Sequence, residues 1–227
     1  MEKRKVCEVL GAKKLARMIS SPHERINHKR VARILRQNNM SVRRKKRRRY
    51  RMTNLERLPI PSNASAREGV WSIDFMCSRK ASSFRYMILN MVVITMRNCP
   101  GIIVERSFTS QDVTENLSEA FKTHGKPKGL ITDNGAEFTA TNFRVWCRRN
   151  NITHYLTNKS SPSENSFVES FNSCVRREVL DETDFTNISE LRRTLENWRL
   201  FYNEQRPHGS LGYLSPDQYA MVQPNRK

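Results

Sequence analysis

Apolar positions recur at helical spacing near the N-terminus and at strand spacing from residue 70 onward. Leu15, Met18 and Ile19 make a short apolar stripe, and Ser20-Ser21-Pro22 follows it. Val31, Ile34 and Leu35 make a second stripe within a helix expected over Asn27–Gln37, with Asn27 as its N-cap and Asn38-Asn39 as its stop. Further on, Trp71-Ser72-Ile73-Asp74-Phe75-Met76 alternates, with Trp71, Ile73 and Phe75 on one face. Residues 84–95 form a long β-branched run suited to a central strand, and Ile102-Ile103-Val104 reads as a third strand. A helix is expected over 111–124, a strand over 129–132 running into Asp133-Asn134-Gly135, and a helix over 138–150. An extended stretch at 152–155 and a long helix over 162–180 complete the series. That order describes an α/β sandwich, not a bundle or a β-barrel, and it contains no internal repeat.

Composition narrows the classes. With 227 residues and 37% apolar content, the chain can bury a core and is neither a wholly disordered basic chain nor a membrane protein. The longest apolar run, Met87 to Met96, is interrupted by Asn90 and Thr95 and is far short of the roughly 18 residues that span a bilayer. Lys13 and Lys14 break any secretory apolar segment, so the expected location is cytoplasmic. The five cysteines are odd in number and scattered without a Cys-x-x-Cys pair, which argues against a disulfide framework or a structural zinc site.

Charge divides the chain. There are 41 Lys and Arg against 22 Asp and Glu, a net +19. Residues 1–57 hold 20 of the basic residues and only Glu2, Glu8, Glu24 and Glu56, whereas the remainder is nearly balanced. Lys29, Arg33 and Arg36 fall on the polar side of the 27–37 helix, and two short helices of this kind match a helix-turn-helix outline. A solvated charged face is the ordinary alternative. Arg43, Arg44, Lys45, Lys46, Arg47, Arg48 and Arg49 then form an unbroken run followed by Tyr50 and Arg51, an arm that grips phosphates without reading bases. A nuclear-localisation or anionic-membrane role is the alternative for a lone run of this kind, but beside a basic-faced helix DNA is the better partner. Residues 59–65 read as a linker. The expected organisation is a DNA-binding segment over 1–42, a basic arm and linker over 43–67, a catalytic core over 68–180 and a helical extension over 181–227.

Three carboxylates stand out in the body. Asp74 lies inside an apolar strand, where an unpaired charge is costly. Asp133 ends a strand at an Asn-Gly turn, and Glu169 is mid-helix. Helical projection groups Glu169 with Asn165, Asn172, Ser173 and Arg176, away from Phe167, Phe171, Cys174 and Val175. Each has an ordinary explanation alone: a strand-end carboxylate, a common turn, a surface helix residue. Together they make an all-oxygen donor set suited to Mg²⁺ or Mn²⁺, and a pair of such ions about 3.5–4 Å apart serves in-line displacement at a phosphodiester.

Trp71-x-x-Asp74, then Thr132-Asp133-Asn134-Gly135-Ala136-Glu137-Phe138-Thr139, then Asn165-Ser166-Phe167-Val168-Glu169-Ser170-Phe171-Asn172 closely resembles the DDE transposase/retroviral integrase superfamily, with 35 residues between Asp133 and Glu169. The likeness is strongest to second-frame transposases of bacterial insertion sequences. It extends to Arg176 and Glu178, to residues 202–216 and to the basic head from Ile26 to Val31. The resemblance implies a ribonuclease-H-like core with a mixed five-stranded sheet, a catalytic, metal-binding triad of Asp74, Asp133 and Glu169, and ligation of two Mg²⁺ (or Mn²⁺) ions. The implied activity cuts DNA at the element's ends and joins the freed 3′-hydroxyl to another phosphodiester, with no covalent protein–DNA intermediate and no nucleotide cofactor. The implied partners are double-stranded DNA, as terminal repeats and target, and further copies of the chain in a homo-oligomer on the bacterial nucleoid; no membrane is involved. From charge, Lys159 and Arg176 are candidate phosphate contacts. Departures stand at Val93-Ile94, where relatives carry an acidic pair, and at Ser160-Ser161; little room is left for an upstream helix-turn-helix, which relatives often encode in a first frame. A drifted DNA-binding relic or regulator is the alternative from another class, and a purely hydrolytic nuclease is the third reading.

Overall fold

The computed structural model describes residues 10–21, 24–38, 40, 69–78, 85–157 and 165–222. These fall into two compact units, one drawn from residues up to 53 together with those from 200 onward, the other from 54 to 199. The basic arm at 43–51, the linker at 59–65, and Lys159, Ser160 and Ser161 lie outside the described residues.

The first unit contains helix α1 (Ala12–Ile19) and helix α2 (His28–Gln37). Asn27 caps α2 as its sequence suggests, its side chain accepting from the Lys29 backbone N–H at 2.9 Å. Leu10, Leu15, Ala16, Val31 and Leu35 form the buried contact between the helices, with Phe201 packed against them. The apolar stripes are narrower than the spacing implies: Ile19 is 54% and Ile34 46% exposed. A two-helix contact buries only the residues near its centre line, so the flanking positions of each stripe stay in solvent. After residue 200 the chain makes a tight loop, in which the His208 backbone N–H donates to Leu214 O at 3.0 Å and the Tyr213 N–H to His208 O at 2.8 Å. Gly212 and Tyr213 both adopt left-handed backbone conformations, φ 64° and 67°. The first is free for glycine; the second is strained for tyrosine.

The second unit holds strands β1 (Val70–Cys77), β2 (Met87–Val93), β3 (Gly101–Glu105), β4 (Gly129–Thr132) and β5 (Thr153–Leu156), in the sheet order β3-β2-β1-β4-β5. β1, β2 and β3 pair antiparallel, and β1, β4 and β5 pair parallel. Helix α3 (Ser110–His124) opens on a capping box between Thr109 and Asp112. α4 (Ala136–Thr139) and α5 (Thr141–Arg149) replace the single helix expected over 138–150, because Ala140 between them is extended (φ −55°, ψ 142°). The strand expected over 84–95 is described only from Met87 to Val93, and past its end Arg97 turns at φ 61°. α6 (Ser166–Val175) passes directly into a π-helical turn (Arg176–Leu180), and α7 (Ile188–Glu204) follows; α8 (Pro216–Val222) closes the described chain.

Strand alternation sorts the sheet into two faces. Trp71, Ile73, Leu89, Met91 and Leu130 pack with Val113, Leu117, Phe138 and Phe143 of the helices on one side. The opposite face, towards α6, carries Val70, Ile131 and Ile94 in contact with Phe167, and also the polar Ser72, Asp74 and Asn90. Ile94 is 2% exposed, so the departure at Val93-Ile94 is met here by apolar packing.

Candidate active site

The α6 side of β1 is where the sequence places its first carboxylate. Ser72 Oγ donates to Asn165 Oδ1, which ties the start of α6 to the strand. Two residues on, Asp74 Oδ2 accepts from Asn172 Nδ2 at 2.8 Å, and Asn172 Oδ1 in turn accepts from Asn90 Nδ2 at 2.7 Å. Asn90 faces Asp74 directly across the β1–β2 register. Glu169 lies between these two ties, on the exposed side of α6, while Val168, Phe171 and Val175 are buried beneath it. Asn165 is 5% exposed and belongs to the interface with β1, not to the open face that helical projection assigns it. Its hydrogen bond to the buried Ser72 draws it inward.

Asp133 directly follows β4, the parallel neighbour of β1. Its Oδ1 accepts from the Gly135 backbone N–H at 3.0 Å, an Asx turn that holds the carboxylate at the strand end. A Cβ on Gly135 would stand 3.1 Å from Asp133 Oδ1 and 3.2 Å from Glu137 Oε2, so two carboxylates crowd this turn and glycine fits it. Behind it, Asn134 Nδ2 donates to Thr157 O at 2.5 Å. Thr132 Oγ1 donates to Asp133 O at 2.9 Å and also lies 2.9 Å from His154 Nε2. Burial, and then the neighbouring Arg144 charge, push the His154 ring down to about 4, so it is neutral at pH 7.

Asp74 senses both of the other carboxylates. Burial first, and then the Asp133 charge, push the Asp74 carboxyl up to about 7; Glu169 adds to the rise, against the Phe75 and Asn172 hydrogen bonds. Partial burial also raises the Glu169 carboxyl, although the residue as a whole is exposed. Among the described residues, no three His, Cys, Asp or Glu side chains already stand close enough to hold a metal ion. Arg176 is half-buried at the start of the π-helical turn that follows α6. Glu178, two residues beyond, is 6% exposed and accepts from the Trp198 indole N–H at 3.2 Å, so it braces the helix and takes no part in an open site.

In the first unit, Lys29, Arg33 and Arg36 are all exposed on α2. A cleft of about 690 Å³ is lined by Lys13, Arg17, Arg25, Lys29 and Tyr213 among others, with no acidic side chain on its wall among the described residues. Only Lys29 of these was singled out by sequence as a DNA contact. The others come from α1, from the α1–α2 connection and from beyond residue 200, and no short-range pattern links them.

Two models of the integrase core domain match this chain, over residues 64–162 and 150–216. An uncharacterized 31.7 kDa protein of insertion element IS407 from Burkholderia multivorans is 34% identical over 210 residues, covering 92% of this chain and 75% of that protein. A 39.2 kDa protein of insertion element IS476 from Xanthomonas euvesicatoria is 31% identical over 210 residues, covering 92% of this chain but 60% of its own length. Among solved structures, the HTLV-2 integrase catalytic core domain in complex with magnesium, in its dimeric form, aligns with a TM-score of 0.52 at 17% identity, covering 66% of this chain and 93% of that one. The sheet order and flanking helices are thus those of a ribonuclease-H-like integrase catalytic core. The chain belongs to the bacterial insertion-element transposases of the DDE transposase/integrase superfamily.

Proposed function

We propose that this protein cuts DNA at the ends of its insertion element and joins the freed 3′-hydroxyl to a target phosphodiester, with Asp74, Asp133 and Glu169 as its catalytic, divalent-metal-holding triad. The observation that carries this reading is the Asp74 carboxyl, pushed up to about 7 by burial and by the two other carboxylates, which arrive from a different strand end and a helix. Three carboxylates that supply only oxygen donors suit Mg²⁺ or Mn²⁺, and two such ions would serve in-line displacement. When bound, the ions would supply charge stabilisation to the attacking and leaving oxygens of in-line displacement. The chain's own part is to hold the carboxylates on rigid elements, Asp74 by the sheet and Asn172, Asp133 by its Asx turn, Glu169 by the tied helix. Arg176, Lys159 and the cationic α2 face are proposed phosphate contacts, and the cleft lined by Lys13, Arg17 and Arg25 adds a surface of the same chemistry.

Joining two DNA ends calls for more than one protomer, so the working form is a homo-oligomer on DNA, at the bacterial nucleoid. The test is divalent-metal-dependent cleavage and joining of a duplex that carries the element's terminal repeat. Asp74→Asn, Asp133→Asn and Glu169→Gln should each lower the rate by at least about a hundredfold, beyond the usual cost of an outer-shell change. Equal activity in Glu169→Gln would sink the assignment. DNA binding with no metal-dependent cleavage in wild type would point to a relic or regulator instead, and cleavage without joining to a nuclease.

A further inference from the structure

We infer that Asn90 and Asn172 are positioning residues for Asp74, a chain of two amides that fixes the orientation in which the carboxylate meets a divalent cation. The inference rests on the triad reading and adds to it Asn90, which no sequence motif marks, acting through Asn172. Asn90 is the anomaly that leads to it. It sits in the middle of Met-Ile-Leu-Asn-Met-Val-Val, is 0% exposed, and its Oδ1 has no partner among the described residues. A buried amide with an unsatisfied oxygen is disfavoured where a leucine would pack, so folding alone does not account for it.

Its other end does account for it. Asn90 Nδ2 donates to Asn172 Oδ1 at 2.7 Å, and this bond decides which way the Asn172 amide points. With its oxygen engaged by Asn90, Asn172 can present only its N–H to Asp74, and it does so at Oδ2, 2.8 Å away. Released from Asn90, the amide is free to turn and set oxygen against carboxylate, an arrangement of two acceptors. The chain therefore gives Asp74 a donor on one oxygen and keeps its plane fixed. It also fastens α6 to β1 and β2 three residues past Glu169, while the Ser72–Asn165 bond fastens the helix before it. Outer partners of this kind orient a ligating carboxylate and tune its affinity for metal.

The experiment measures Mn²⁺ binding by the full chain, by electron paramagnetic resonance of the free ion, alongside thermal melting without metal. Asn172→Ser, on a helix face that is only half-buried, should weaken Mn²⁺ binding about tenfold or more, and Asn90→Leu several-fold. Because the two act in series, the double variant should bind no more weakly than Asn172→Ser alone. Asn90→Leu should melt no lower than wild type, which a merely structural role would not allow. Should the leucine fail to fit, Asn90→Ala removes the same donor without added bulk. Unchanged Mn²⁺ binding in Asn172→Ser, or losses that add in the double variant, overturns the inference. Wild type that binds no Mn²⁺, or Asp74→Asn that binds it equally well, overturns the triad reading and this inference with it. A loss confined to Asp74→Asn overturns this inference alone.

Discussion

Asp74 is held at odds with the fold that holds it. Its carboxyl is raised from the ordinary 3.8 to about 7, so the folded chain retains the proton that the unfolded chain gives up between those values. Stability without metal therefore falls as pH rises from about 4 to about 7, and stays reduced above that. Asp74→Asn should raise the melting temperature at pH 8 by an amount corresponding to at most about 4 kcal/mol, and change it little near pH 4. Thermal melts of the two proteins across that range check it; an unchanged difference between pH 4 and pH 8 would contradict it. His154 works in the other direction. Its folded-state value of about 4 lies below the ordinary 6.5, so it contributes stability above pH 6.5 that is lost as pH falls towards 4. His154→Gln should flatten that acid limb and leave the alkaline one alone, as pH-dependent denaturant titrations would report.

At the scale of elements, α6 is fastened at both ends. Its C-terminal continuation is a π-helical turn in which Glu178 accepts from Trp198 Nε1 at 3.2 Å and from Arg177 at 3.2 Å, while Trp198 meets Phe171 edge-on at 5.5 Å. Glu178→Ala removes a buried acceptor from both donors and should destabilise the fold by about 2–4 kcal/mol. Trp198→Phe keeps most of the ring packing and should cost less, which urea titration can rank. Much of this architecture was legible in sequence. β1, β3, β4 and α3 follow from alternation, β-branching and capping residues, all of them local signals. What was not legible is nonlocal or purely conformational: the break at Ala140, the turn at Arg97, and the narrowing of the stripes that leaves Ile19 and Ile34 in solvent. The triad positions rested on a motif, whereas Asn90 reaches Asn172 across 82 residues and Asn172 reaches Asp74 across 98. No periodicity encodes a hydrogen bond of that span.

The whole molecule is cationic at one end of its sequence, with 20 basic residues before position 58 and near balance after it. Affinity for a duplex should fall steeply with salt, with log K losing roughly 0.9 per phosphate contact for each unit of log salt. Arg17→Ala combined with Lys29→Ala should then reduce the slope by about 1.8 if both touch phosphate, measured by fluorescence anisotropy over a salt series. No helix among the described residues is long and apolar enough to cross a membrane. One further consequence follows from the first unit's being drawn from both ends of the chain, with Phe201 in the core of α1 and α2. On the ribosome, α1 and α2 emerge more than 160 residues before their partner, since α2 ends at residue 37 and the partner is Phe201. At about 5–20 residues per second they wait on the order of 10–30 s for it. A message cut short by a nonsense codon or a deletion would release a polypeptide whose central sheet is complete but whose first unit lacks a piece of its core. Truncated copies of the element's gene would thus be expected to yield products whose first unit is less stable, and, on the DNA-contacting role proposed for that unit, to hold DNA less tightly than the intact protein.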